Sequence, residues 1–267
     1  MTAFTTSYER EVAARLGAHD AQGLVSEGDL ASLPPLLQTY LRRVGVVGRP
    51  RVRNFRVRFS GEMRPSRGST GNRLRLRPTD QHTFLGAEPA RLFLVRASRF
   101  GIPFESYHRF AGPTATMQVR VASLFQVVDA KGPEMDRSET VTFFNDLCLL
   151  APAALLEADM RWEGAGRSLQ GTFRHQGQQV SAELRFDAQG DLVDFISEDR
   201  FQSADGKVYR RLPWSTPIGR HGAFGGLRLM AEGEALWQEP EGLSPYAHFR
   251  VEDLVHNVGC PSEEEAP

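Results

Sequence analysis

The hydrophobic period of the chain changes three times, and each change predicts a different kind of element. Ser7 to Leu16 and Asp29 to Val44 carry apolar residues at helical spacing. The second run is interrupted at Pro34-Pro35, where a new helix can begin because a first turn does not need the missing N–H. Beyond Pro50 the period becomes two, with Phe55, Val57, Phe59 and Met63 on one side and Asn54, Arg56, Arg58, Ser60, Glu62 and Arg64 on the other. Short runs at Leu74–Arg77, Leu92–Ala97, Phe104–Phe110, Thr116–Ala122 and Phe125–Asp129, broken by Gly or Pro, continue as antiparallel strands.

After Gly132-Pro133 the period returns to that of a helix, expected over 138–150, with Asp136 as cap and Glu139 at capping-box spacing. At about 100° per residue, Val141, Phe143, Phe144, Leu147, Cys148 and Leu150 fill one arc, while Glu139, Thr142, Asn145 and Asp146 gather on the other. Strands then resume at Met160–Trp162, Leu169–Phe173, Val180–Phe186, Leu192–Phe201, Val208–Trp214, Leu227–Trp237 and Tyr246–Val255, with Ala204-Asp205-Gly206 as a hairpin loop. The pattern predicts an α+β protein: a mostly antiparallel, strongly curved sheet or partly open β-barrel, with a central helix on its concave face and an N-terminal helical segment. Residues 1–48 form the helical lead-in, 49–258 the sheet domain, and 259–267 an acidic tail expected to be disordered.

Composition narrows the function. The chain of 267 residues has a net charge of −1, so as a whole it has no electrostatic reason to seek nucleic acid. Twelve arginines crowd between Arg42 and Arg77 against one acid, Glu62, yet they lie on the strand face opposite the phenylalanines and cannot interleave with them as a single-strand binder requires. No run of 18 apolar residues occurs and the polar first ten residues carry no leader pattern, so a cytoplasmic location without membrane insertion is expected. Two cysteines, Cys148 and Cys260, argue against a disulfide scaffold, and the seven histidines lack metal-ligand spacing, so neither metal nor cofactor is expected.

The candidate chemistry lies where polar groups interrupt apolar elements. Glu139 and Asp146 are the candidate acid and base; Glu139 has the alternative of a structural role at the helix start. Two carboxylates seven residues apart lie about 10 Å apart along a helix, too far to share a proton. If Asp146 is buried near Glu139, one of the two should titrate high. Asn145 and Asp146 both disfavour helix interiors, and their face must look into either solvent or a cavity. Asp199 points inward with Phe195 and Phe201 and needs an arginine partner, for which the basic segment is the expected source. Asn145, Asp199, Arg200, Trp214 and Trp237 are the candidate ligand contacts, and Gly233 and Ala235 beside Trp237 leave room for a ligand.

The segment Glu139-Thr-Val-Thr-Phe-Phe-Asn-Asp-Leu-Cys-Leu-Leu-Ala-Pro152 stands in one order with Ser197–Phe201, Pro213–Pro217, Gly233–Trp237 and Tyr246–Phe249. In these landmarks the chain resembles the bacterial DUF6544 family of unknown function, formerly DUF6920-like, from roughly Pro34 to Val258. The resemblance implies a shared fold and marks Glu139, Asn145, Asp146, Asp199, Arg200 and Trp214 as positions to test. Three functions fit these residues. The first is binding of a lipophilic or extended small molecule between sheet and helix; the others are a cofactor-independent cyclase, isomerase or hydrolase, and a protein-interaction module.

Overall fold

The computed structural model describes residues 2–17, 23–64, 73–122, 124–203 and 205–259. Three helices come first: α1 (Ala3–Arg15), α2 (Glu27–Leu30) and α3 (Pro35–Val44). Six strands follow, β1 (Asn54–Met63), β2 (Leu74–Phe84), β3 (Ala90–Arg99), β4 (Ile102–Ala111), β5 (Thr114–Val121) and β6 (Phe125–Lys131). Helix α4 (Pro133–Leu150) and a 3-10 turn (Pro152–Leu156) lead to β7 (Met160–Glu163), β8 (Ser168–His175), β9 (Gln178–Phe186) and β10 (Leu192–Ser197). The remaining strands are β11 (Phe201–Gln202), β12 (Arg210–Arg211), β13 (Trp214–Ser215), β14 (Ile218–Phe224), β15 (Leu227–Glu239) and β16 (Gly242–His256).

All but two of these strands join one antiparallel, curled half-barrel in the order β6-β5-β4-β3-β2-β1-β16-β15-β13-β10-β9-β8-β7, with β14 added on β15. The order explains the helix. Strands β6 and β7 follow one another in the chain but lie at opposite edges, so the connection must cross the full width of the sheet. Eighteen residues of α-helix, about 27 Å long, make that crossing inside the cup. Helix α4 is therefore buried on both arcs, and only its first turn retains substantial exposure.

The two arcs meet different halves of the sheet. Phe143 and Phe144 pack on the β8–β10 half, where Phe144 lies 5.3 Å from Phe173 and 5.1 Å from Phe195, centroid to centroid. Gly171 on β8 permits this approach, because a Cβ there would stand 2.9 Å from the Phe144 ring and 2.6 Å from Trp162. On the other half, a bulge at Phe59–Gly61 bends β1, and Gly61 holds φ +143° with His248 carbonyl against the space of its missing Cβ. The carbonyls at the buried C-terminal end of α4 find partners outside the helix. Tyr40 of α3 donates to the Cys148 carbonyl at 2.6 Å, and His256 Nε2 lies 2.8 Å from the Leu150 carbonyl.

The helical lead-in divides between two locations. Helix α1 lies on the convex face, where Phe4, Tyr8 and Val12 pack on Phe84, Leu92, Leu94 and Tyr107. Helix α3 joins the main core through Leu37, Tyr40, Leu41 and Val44, and Arg43 ties it to Asp191 at 2.6 Å.

Several local expectations are corrected. Helix α4 starts five residues before the expected 138, at Pro133, with Gly132 as its N-cap; Asp136 is no cap and instead accepts the Ala115 N–H at 2.6 Å. The strand expected over Leu192–Phe201 ends at Ser197, whose hydroxyl turns back to the Ser181 carbonyl and accepts from the Asp199 N–H. The expected strand Val208–Trp214 is two short pieces separated by Pro213, which has no N–H for a ladder. The glycine-rich stretch from Gly219, not expected to be a strand, forms most of β14. The tail beyond Gly259 with Cys260, His19, and Ala204 of the expected hairpin loop lie outside the described residues.

Candidate functional site

The polar arc of α4 faces the β1–β6 half of the cup across a cavity of about 980 Å³. Its walls come from alternate residues of neighbouring strands, including Phe93, Val95 and Ala97 of β3, Phe104 and His108 of β4, Met117 and Val119 of β5, and Gly233, Ala235 and Trp237 of β15. Period two puts each of these sets on one face. Phe201, Gln202, Val208 and Tyr209 line one side, and the exposed Val127, Val208 and Leu243 (54%, 68% and 65%) mark the mouth.

Glu139, Asn145 and Asp146 all line this cavity and are 3%, 6% and 6% exposed, so the polar face is turned away from bulk solvent. One residue reconciles the two carboxylates with burial. Arg91 donates from Nε to Asp146 Oδ2 at 2.6 Å, from one terminal nitrogen to Glu139 Oε2 at 3.1 Å, and from the other to Gln81 Oε1 at 2.8 Å. Gln81 in turn donates to the same Asp146 oxygen at 2.6 Å and to Thr83. Glu139, expected either in catalysis or in a helix-start cap, is thus an ion-pair partner on the cavity wall. Burial pushes the Asp146 carboxyl above its ordinary range, and the Arg91 guanidinium and Gln81 amide offset this only in part. Asn145 donates to Thr216 at 2.6 Å, joining α4 to the segment after β13.

A second polar group stands on the β15–β16 side. The Arg200 guanidinium lies 4.1 Å from the Trp214 ring and 5.5 Å from the Trp237 ring. It donates to the Tyr246 hydroxyl at 3.0 Å, as does Trp214 Nε1 at 3.0 Å. Asp199, expected among the ligand contacts, does not line the cavity. Its oxygens are taken by Arg137 at 2.6 Å, Arg211 at 2.9 Å and the Ser181 N–H at 2.8 Å; burial would raise its carboxyl, but Arg137 and Ser181 together outweigh burial and hold it below the ordinary range. The partner arginines come from α4 and β12 rather than from the basic segment. Asp199 anchors the turn on which Arg200 stands.

Arg91, Gln81, His108 and Tyr246 were not singled out in the sequence for this chemistry. Parity alone carries a signal for two of them: Arg91 shares a strand face with Phe93, Val95 and Ala97, and His108 with Phe104 and Phe110. Burial lowers the His108 pKa to about 4, so at neutral pH its ring is uncharged. No helix of the described residues is long and apolar enough to cross a membrane, and none of their His, Cys, Asp and Glu side chains form a group of three placed for a metal.

Fold and site together define a half-barrel threaded by a helix, with an apolar cavity that carries two polar clusters, one buried around Arg91 and one half-buried around Arg200. The chain belongs to DUF6544, a family of unknown function, whose pattern matches residues 23–249. No curated protein matches it at a significant level. Among solved structures it is similar to a DUF1329 family protein from Desulfovibrio piger, with 13% identity, 84% of this chain and 92% of that chain covered, and a TM-score of 0.46. A putative outer membrane lipoprotein-sorting protein domain from Vibrio parahaemolyticus shows 9% identity, 79% and 88% coverage, and a TM-score of 0.40. At such scores neither informs the chemistry of this cavity.

Proposed function

We propose that the protein binds a lipophilic or extended small molecule in the cavity between the curved sheet and α4. The cavity itself carries this reading: about 980 Å³, chiefly apolar walls, and a few converging polar side chains, at the upper end of the size range of small-molecule sites. A fold that aimed only at stability would fill such a volume, since each unfilled methyl-sized void costs about 1 kcal/mol. The other half of the same cup, filled by Phe143, Phe144, Phe173 and Phe195, is packed in that way. Asn145, Trp214, Trp237 and Arg200 supply the contacts. Nucleic acid is disfavoured because arginines of the outer face are engaged with carboxylates, Arg56 with Asp253, Arg58 with Asp80 and Arg73 with Glu62. The test is native mass spectrometry of gently purified protein, followed by solvent extraction. A bound apolar species is the expected result; protein of bare mass that also takes up no added lipophile removes the reading.

A second reading, a cofactor-independent enzyme acting on an apolar metabolite, is favoured by one observation. Glu139 and Asp146 reach the cavity wall with the Asp146 carboxyl shifted towards its protonated form, a condition that suits proton transfer. Once a turned-over ligand is in hand, an Asp146→Asn protein with unchanged turnover takes that residue out of the mechanism.

A further inference from the structure

Two guanidinium groups line the cavity, Arg91 buried and Arg200 half-buried, and their surroundings differ. Arg91 is neutralised by Glu139 and Asp146 and satisfied by Gln81. Arg200 has no carboxylate partner among the described residues. It stands beside two indole rings, and its Nε is buried without any hydrogen-bond acceptor. A buried donor without a partner keeps its desolvation penalty uncompensated, the more so on a charged group. Tyr246 adds a further donor. Its hydroxyl oxygen already accepts from Arg200 and from Trp214 Nε1, so its own proton is not needed by either bond and can be given to a third group.

The frame around Arg200 is rigid. On one side Asp199 is held by Arg137, Arg211 and Ser181, and on the other the Arg200 carbonyl accepts the Leu212 N–H at 3.3 Å. Trp237 stacks on Tyr246 at 5.9 Å. Preorganised donors without an internal acceptor form a site for an anion, and a planar guanidinium matches the two oxygens of a carboxylate or phosphate.

We propose that Arg200, Trp214, Trp237 and Tyr246 form a seat for the anionic head, carboxylate or phosphate, of an amphiphile whose apolar part fills the rest of the cavity. This rests on the small-molecule reading above and adds the class of ligand. The test uses three probes of equal chain length, dodecanoic acid, dodecyl phosphate and dodecanol, titrated into the full chain while the fluorescence of Trp214 and Trp237 is followed. Wild-type protein is expected to bind at least one anionic probe ten-fold or more tighter than dodecanol, and the better of the two identifies the head group. Arg200→Gln should lose that preference, and Arg200→Lys should retain part of it. Equal affinity for all three probes in the wild type overturns the seat and leaves the cavity reading standing, whether or not the variants fold. Binding of none of the three, with a bare native mass, overturns both.

Discussion

Replacing Arg91 by methionine keeps much of the side-chain volume but leaves Glu139 and Asp146 buried without their cation. Both carboxylates accept from Arg91, at 3.1 and 2.6 Å, and all three side chains are almost fully enclosed. Removing one member of a buried ion pair costs about 3–5 kcal/mol, because the stranded charge keeps its desolvation penalty. With a urea m-value on the order of 3 kcal/mol per molar, the unfolding midpoint should fall by about 1–1.7 M. The loss should depend on pH with a definite sign. Burial already holds the Asp146 carboxyl above its ordinary range, and loss of Arg91 removes the main group that opposes this, so the folded variant holds a proton that the unfolded chain releases. Stability of the variant then declines, relative to wild type, as pH increases above about 4, and the gap is larger at pH 8 than at pH 5. Combining Arg91→Met with Glu139→Gln and Asp146→Asn removes the charges altogether and should restore more than half of the loss. Urea unfolding followed by tryptophan fluorescence at both pH values measures all of this. A variant within about 1 kcal/mol of wild type, or a loss equal at pH 5 and pH 8, would refute the account of the cluster as a mutually neutralised buried network.

Three further outcomes follow from particular contacts. Gly171→Ala places a methyl against Phe144 and Trp162, and overpacking of this kind should cost about 1–3 kcal/mol by urea unfolding; a neutral substitution would show that β8 yields easily. Tyr40→Phe removes the donor to the Cys148 carbonyl and should cost about 1–3 kcal/mol without changing the far-ultraviolet spectrum, while an unchanged midpoint would mean another group satisfies that carbonyl. His82 and His175 both have folded pKa values lowered to about 4 by burial, so the unfolded chain protonates them first as pH falls from about 6.5. Their contribution is complete above about 6.5 and is lost towards pH 4, at up to roughly 1 kcal/mol per pH unit each, and the double His82→Gln, His175→Gln variant should show a flatter midpoint-against-pH profile over that range.

Local periodicity was enough to reveal the element types, the inward faces of Phe55, Val57 and Phe59, and the two-arc character of α4, because each depends on neighbours two to four residues away. The destination of the polar arc was not legible, since nothing near Glu139 or Asp146 in the chain says whether that face meets water. The tertiary structure decided it: with β6 and β7 at opposite edges the connection must cross the sheet, and α4 crosses it inside the cup, so both of its faces are interior. Once it was interior, the charges required a cation, and the sheet supplied Arg91 from 48 and 55 residues away. Arg91 looked like the polar start of an apolar strand because its partners lie on another element. The same holds for Asp199, whose two arginines come from α4 and β12 instead of the conspicuous basic segment. The seat around Arg200 likewise gathers Trp214, Trp237 and Tyr246 from separate strands. Sequence alone determined the pattern of faces through short-range periodicity, whereas the tertiary structure decided which face encloses a cavity and which charges meet there, because both depend on long-range strand pairing.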